Sequence, residues 1–474
     1  MTSHCIAAGD LRPRPKCGEW DVMDPSPLEV ALAPAPLEVP HADSAQPLEE
    51  WHPCEVPFSI GAELELQLVD GETRRLTSLA PAVLDALHRA RPGDTERFQK
   101  ELMENTVEVT SDVCRTVPDL RDNLRGYIDL AHLHVQGHGA TLISAGSHPS
   151  DDPYDQDITR APRVTALLDQ FGRGIRELLT FGLHVHIGVA TGDDAVGAGN
   201  VLLQHLPQLL ALSTSSPFWC GRDSGLSSSR CPQFTSFPNT GIPPVDLQKW
   251  TDYQKHYQAL VNVGTIRSNK DVHYDVRPSP RFGTIEMRIA DATPTLREAM
   301  AIAAYAQCLV AAGVGDPSQR RPVSRIALAA NKSAVVARSV AANIVDLDGT
   351  VRPVWYCIER DIERLRPVAD QRGCRSQLED CLNILNLWGP SSERQRVVCS
   401  LAPDASGVPL RTPIPEPHHP LDACRAAHVL RVLNDEFLTD TPQPPPVLSD
   451  LRWRAAELRR PQRRALAAAD PLRG

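Results

Sequence analysis

The stretch Phe58-Ser-Ile-Gly-Ala-Glu-Leu-Glu-Leu-Gln-Leu-Val69 sets the reading of the whole chain. Ile60, Leu64, Leu66 and Leu68 fall on one side of a period-two pattern, and Glu63, Glu65 and Gln67 on the other. Such alternation is that of a β-strand with one face turned to the core. Three further segments repeat it. In Thr106-Val-Glu-Val-Thr110, Val107 and Val109 oppose Thr106, Glu108 and Thr110. In Leu183-His-Val-His-Ile187 the apolar residues oppose His184 and His186, and in Thr284-Ile-Glu-Met-Arg-Ile289, Ile285, Met287 and Ile289 oppose Glu286 and Arg288.

Singly, each is an ordinary half-exposed strand. Gathered in one sheet, they would bring Glu63, Glu65, Glu108, Glu286, His184, His186 and Arg288 onto a single face. Four carboxylates so close repel one another, and such a face is stable only with cations bound. Hard oxygen donors on a rigid sheet suit Mg²⁺ or Mn²⁺, ions that keep waters and bridge to substrate phosphates, which points to nucleotide chemistry. The chain has no GxxxxGK[ST] loop and no GxGxxG between a strand and a helix, so phosphate charge must be met by metals and arginines. Arg230 and Arg277 lie in polar, turn-rich stretches, and a guanidinium suits a bidentate grip on carboxylate or phosphate.

Composition narrows the class. The 474 residues carry a net charge of −10 with no basic block, which excludes nucleic-acid backbone binding, and 42% hydrophobic residues suffice for a sizeable core. The longest apolar run, Ala299 to Gly315, is shorter than the roughly 20 residues a bilayer needs and is interrupted by Tyr305 and Gln307, so it reads as a buried helix and no membrane partner is expected. The N-terminal stretch lacks the continuous apolar segment of a secretory signal, and twelve scattered cysteines with no CxxC pair suggest a reduced, cytoplasmic protein without structural zinc. Nine prolines and the repeated Pro-Leu-Glu-Val at 27 and 36 mark residues 1–55 as a disordered leader. The organised body is expected over 56–400, followed at 401–474 by a Pro-rich linker and a basic helical tail, with helices near 421–438 and 447–469. Long apolar-periodic segments at Pro118–His138, Ala161–Thr180, Gly197–Ser213 and Thr295–Ala312 read as helices that do not alternate strictly with the strands. The fold class is therefore α+β.

Several of these stretches together resemble the carboxylate-amine ligases of the glutamate-cysteine ligase type 2 family. They are, in order, Gly61-Ala-Glu-Leu-Glu-Leu-Gln67, Val107-Glu-Val-Thr110, Gly182-Leu-His-Val-His-Ile-Gly188, Ser216-Pro-Phe-Trp-Cys-Gly221 with Asp223-Ser-Gly225 and Ser229-Arg230, and Asp275-Val-Arg-Pro278 followed by Gly283-Thr-Ile-Glu-Met-Arg288. The resemblance covers about 56–350 and implies a glutamine synthetase-like catalytic domain, a curved, mainly antiparallel sheet covered by helices on one face. It also implies ATP-dependent amide-bond formation through an acyl phosphate, with L-glutamate and L-cysteine as default substrates and Mg²⁺, or Mn²⁺, as the metal. By this similarity Glu63, Glu65, Glu108, Glu286 and His184 hold metal, Arg288 and His186 act in catalysis, and Arg230, Arg277 and Asn331 bind substrate or nucleotide. The partners implied are a small carboxylic acid and an amine, and the family suggests a homodimer. Where the family has Glu-Asn-Arg-Trp, this chain reads Ala330-Asn-Lys-Ser-Ala-Val-Val-Ala-Arg338, which adds Lys332 and Arg338 as candidates. No protein nucleophile is needed, so Cys220 and Cys231 are read as packing thiols. Two other readings stay open: a metallohydrolase using the His184-x-His186 pair as a zinc chelate, and a non-catalytic ligase-like nucleotide-binding module.

Overall fold

Alternation and turn chemistry build the sheet first. The computed structural model describes residues 46–471, except 238, 245, 316–323 and 403–420. Strands β1 (Ile60–Asp70), β2 (Phe98–Lys100), β3 (Thr106–Thr110), β4 (Ala140–Ile143), β5 (Leu183–Gly188), β6 (Val276–Ser279) and β7 (Thr284–Met287) form one sheet in the order β6-β7-β5-β1-β3-β2, with β4 also paired to β1. Every pairing within it is antiparallel. All four segments with the polar alternation are in this sheet, side by side at its centre as β7, β5, β1 and β3.

The apolar sides of these strands face helices. Leu64, Leu66, Leu68, Val107, Val109, Leu183, Val185, Ile187, Ile285 and Met287 are essentially inaccessible and join one hydrophobic core. Helix α1 (Val117–Gln136) begins at a capping box, in which Thr116 Oγ1 accepts from Asp119 N and Asp119 accepts from Thr116 N, with Pro118 in its first turn. Its buried stripe, Leu120, Leu124, Ile128, Ala131 and Val135, packs against the sheet. Helices α2 (Gly192–Gln204) and α3 (Leu206–Ser213) come from one apolar stretch, broken where Pro207 enters the first turn of α3. The apolar run read as a buried helix is α4 (Leu296–Gly315), whose residues from Ala299 to Val310 are buried on every side. It packs against α1, α2, α6 (Val354–Arg372) and the helix Arg375–Asn383, while α5 (Arg325–Arg338) packs on α3. Among the described residues no helix is long and apolar enough to cross a membrane.

The expected boundaries shift at both ends. The described residues from 46 onward belong to one compact unit, so the 401–474 segment includes helices that are part of the body. Helix α7 (Ala423–Thr439) packs on β4 and on the helix Ser391–Leu401, held by Arg394 between Glu298 (2.8 Å) and Glu436 (2.7 Å), all three about 1% exposed. Two arginines of α8 (Pro446–Ala468) make contacts to the body: Arg452 donates to Leu385 O at 2.6 Å, and Arg463 to Glu359 at 2.5 Å. At the other end, residues 46–55 of the expected leader lie on the body, with Gln46 N donating to Arg267 O and His52 N to Pro280 O. Residues 1–45 of that leader, and the Pro-rich 403–420, lie outside the described residues.

Candidate active site

Register carries the polar side chains to one place. His184 stands opposite Glu63, Glu65 opposite Glu108, His186 opposite Glu286, and Arg277 opposite Glu286. Side chains directly opposite across antiparallel strands share a face, and a one-residue slip would bury every carboxylate in the core. Glu63 binds both imidazoles: His184 Nδ1 is 3.0 Å from Oε2, and His186 Nε2 is 3.3 Å from Oε1. His186 Nδ1 meets Thr284 Oγ1 at 3.0 Å, which turns its Nε2 toward the carboxylates. Three overlapping groups could each hold a cation, with ligand atoms within 4.8 Å of one another: Glu63–Glu108–His184, Glu63–His186–Glu286 and Glu65–Glu101–Glu108.

The electrostatics divide the face in two. At one end, fully buried Glu286 accepts from Arg277 Nε and Nη2 at 2.9 and 2.6 Å and from Arg288 Nη1. Burial alone would favour its neutral form, but the two guanidinium groups outweigh that and hold the carboxyl well below the usual range. Burial likewise opposes ionisation of Glu63, and the hydrogen bonds of His184 and His186 overcome it. At the other end Glu65, Glu101 and Glu108 have no arginine or lysine ion pair among the described residues. Burial and the charge of Glu101 push Glu65 up to about 7, against the pull of Arg230 and Arg288. Burial and the charges of Glu63, Glu101 and Glu65 push Glu108 further. Burial and Arg288 lower His184 to about 4, so it is neutral at pH 7 and its buried Nε2, without a hydrogen-bond partner, is a free donor of electrons 3.9 Å from Glu65. The face is charge-balanced at Glu286 and short of cations around Glu65.

Arg230 reaches this face from a separate loop. Asp291, fully buried, accepts from Ser215 N, Ser216 Oγ and Ser228 Oγ at 2.7 to 3.0 Å, and Ser216 Oγ in turn accepts from Arg230 N. This pins the Ser-rich loop to the end of β7. The guanidinium donates to the carbonyls of Ile289 and Arg288 and lies 5.4 Å from the centre of the Phe234 ring.

Of the residues singled out from sequence, Glu63, Glu65, Glu108, Glu286, His184, His186, Arg230, Arg277 and Arg288 are brought together. Asn331 is not. Its amide is consumed by Val345, donating to the carbonyl at 2.8 Å and accepting the N–H at 2.7 Å, so it clamps the strand Asn343–Val345 to α5. Lys332 points the other way and pairs, buried, with Asp275 at 2.6 Å, whose carbonyl accepts the Arg288 N–H. Glu101 was missed; it follows a three-residue strand, and the only signal was the Gln99-x-Glu101 alternation. Burial raises the Cys220 and Cys231 thiols to about 11 and about 12, which keeps them protonated packing groups. No cation-holding group among the described residues contains both His184 and His186, as a zinc chelate of that pair would require.

Comparison with known proteins agrees with this geometry. The model of glutamate-cysteine ligase family 2 matches residues 59–401. A Frankia casuarinae protein provisionally named glutamate–cysteine ligase 2-1 is 40% identical over 354 residues, 72% of this chain and 92% of its own. A Thermobifida fusca protein provisionally named glutamate–cysteine ligase 2 is 36% identical over 345 residues, 72% of this chain and 86% of its own. Among solved structures, a glutamate–cysteine ligase from Francisella tularensis, in complex with AMP, shares the fold at TM-score 0.54 and 12% identity, covering 88% of this chain and 96% of that one. A bifunctional glutathione synthetase from Pasteurella multocida does so at TM-score 0.54 and 14% identity, covering 80% of this chain and 53% of that longer one.

Proposed function

The chain belongs to glutamate-cysteine ligase family 2 and is a carbon–nitrogen ligase of that type, and on that basis we propose that it joins a carboxylate to an amine at the expense of ATP, through an acyl phosphate, with L-glutamate and L-cysteine as substrates. The observation that carries this reading is the cation-deficient cluster of Glu65, Glu101 and Glu108 beside the arginine-balanced Glu286 on one sheet face.

The donor set fits Mg²⁺. It consists mainly of carboxylate oxygens, three of them held together against their own repulsion, with the buried His184 Nε2 at the side. Glu65, Glu101 and Glu108 would hold one ion and Glu63, His186 and Glu286 another. When bound, such ions neutralise the triphosphate and the transferring phosphoryl group. The protein's own part is positioning. Arg277 and Arg288 fix Glu286 from both sides, so its oxygens cannot swing, and Arg288 keeps a buried Nε–H without a hydrogen-bond partner for the phosphoryl oxygens. Arg230 supplies a cation to a substrate carboxylate or phosphate. The acid's carboxylate oxygen attacks the γ-phosphorus and ADP leaves. The amine then attacks the acyl carbon and phosphate leaves, completing the amide without a covalent enzyme intermediate.

The test is purified protein with MgATP, L-glutamate and L-cysteine, with γ-glutamylcysteine, ADP and phosphate quantified together. Equal amounts of the three are expected from the wild type, and a loss of at least about 100-fold from Glu65→Gln. Dipeptide formation undiminished in Glu65→Gln would remove that carboxylate from the site.

A further inference from the structure

Gly182, the residue before β5, is held on both sides: its N–H donates to the Glu65 carboxylate, its carbonyl accepts the Glu65 N–H at 3.2 Å, and it forms a bridge with Asp291. Its φ lies outside the left-handed region, so its backbone conformation does not call for glycine. The space around it does. A methyl group at Gly182 would overlap Arg230 Nη2 and stand 3.1 Å from Arg230 Cζ and 3.0 Å from His184 Nε2.

Arg230 is 3% exposed and has no carboxylate in ion-pair contact among the described residues. Two of its nitrogens meet only carbonyls, at 3.2 and 3.3 Å, and its buried Nε has no partner. A buried guanidinium left with a free donor is costly until an anion completes it. Asp291 fixes the loop behind it, and the bare Cα of Gly182 leaves the slot in front.

We propose that Gly182 is a positioning residue: its missing side chain makes the slot that holds the Arg230 guanidinium beside His184 and Glu65, ready for an anionic oxygen of the substrate. The identity of that anion, carboxylate of the acid or phosphate of the nucleotide, rests on the ligase reading above. The slot itself does not. Arg230 is the flexible partner, so a methyl group displaces the guanidinium rather than the sheet, and the cost falls on function.

The test is a double-mutant cycle on the full chain with Gly182→Ala, Arg230→Ala and both, joined to a crystal structure of Gly182→Ala. The alanine variant is expected to melt close to the wild type, to show Arg230 moved off the carbonyls of 288 and 289, and to lose about 100-fold in kcat/KM for ADP release. The double variant is expected to be no worse than Arg230→Ala alone, since both changes remove the same contact. A rise in KM for the acid assigns the anion as carboxylate, and a rise in KM for MgATP as phosphate. Arg230 in its original place in the Gly182→Ala crystal, or losses that multiply in the double variant, would overturn the proposal. Should the wild type release no ADP with any acid, the ligase reading fails, and the crystal structure still decides the slot.

Discussion

Replacing Glu108 by Gln is expected to stabilise the metal-free protein while weakening its hold on Mg²⁺. Glu65 is pushed to about 7 from an ordinary 4.5 by burial and a neighbouring charge. At about 1.4 kcal/mol per pH unit, that gap corresponds to about 3 kcal/mol of strain in the ionised cluster. The sign follows from proton counting. A carboxyl raised by folding binds more protons in the native than in the unfolded state, so its stability is full below about 4.5 and falls as pH rises toward 7. Glu108, raised by burial and by Glu63, Glu101 and Glu65, carries the decline to higher pH. Gln at 108 removes one of the like charges and returns a part of the loss, about 1 kcal/mol, or about 1 °C in Tm for a unit of this size. Scanning fluorimetry in EDTA should therefore show Glu108→Gln melting above the wild type at pH 8.5 and level with it at about pH 4, below the ordinary carboxyl value. In MgCl₂ the wild type should rise by the linkage term, about 2.7 kcal/mol at a hundred times Kd, and the variant by much less. A variant that melts below the wild type in EDTA at pH 8.5 would mean that the three carboxylates are not under mutual repulsion, and the metal assignment would lose its physical basis.

Other substitutions should behave differently because their charges are already met. Glu286→Gln leaves two largely covered arginines without their buried carboxylate, so it should cost about 3–5 kcal/mol by denaturant titration as well as abolish turnover, the opposite stability effect to Glu108→Gln. An unchanged midpoint would show that Arg277 and Arg288 find other partners. Arg394→Met leaves Glu298 and Glu436 buried without a cation and should also cost about 3–5 kcal/mol, although it lies outside the active face; a neutral result would mean that α7 is not held by this triad. Mg²⁺ binding to the metal-free protein near pH 7 should release protons from the raised carboxylates, which calorimetry in two buffers of different ionisation enthalpy would detect. Identical heats in the two buffers would contradict the raised state of Glu65 and Glu108.

The active face was legible in sequence because its residues are local. Period-two alternation places Glu63, Glu65, Glu108, His184, His186 and Glu286 without knowledge of any long-range contact, and only their adjacency had to be supplied by the fold. Glu101 was illegible because β2 is three residues long, too short for an alternation to stand out. Asn331 was misjudged for a related reason: its partner strand Asn343–Val345 pairs with Val351–Pro353, and nothing in the residues 330–338 announces that contact. The basic tail gave no sign of the pairing of Arg452 and Arg463, because their acids, Glu393 and Glu359, lie 59 and 104 positions away. Long-range ion pairs leave no local pattern, whereas faces of strands and helices do.

The central claim, ATP-driven activation of a carboxylate on this face, is tested most directly by hydroxylamine trapping. Protein, MgATP, hydroxylamine and a panel of carboxylic acids including L-glutamate are incubated, and hydroxamate is assayed with ADP. Hydroxylamine intercepts an acyl phosphate whatever the natural amine. Hydroxamate equal to ADP with L-glutamate, and none from Glu65→Gln, is the predicted result. ATP turnover that yields no hydroxamate with any acid would contradict the account.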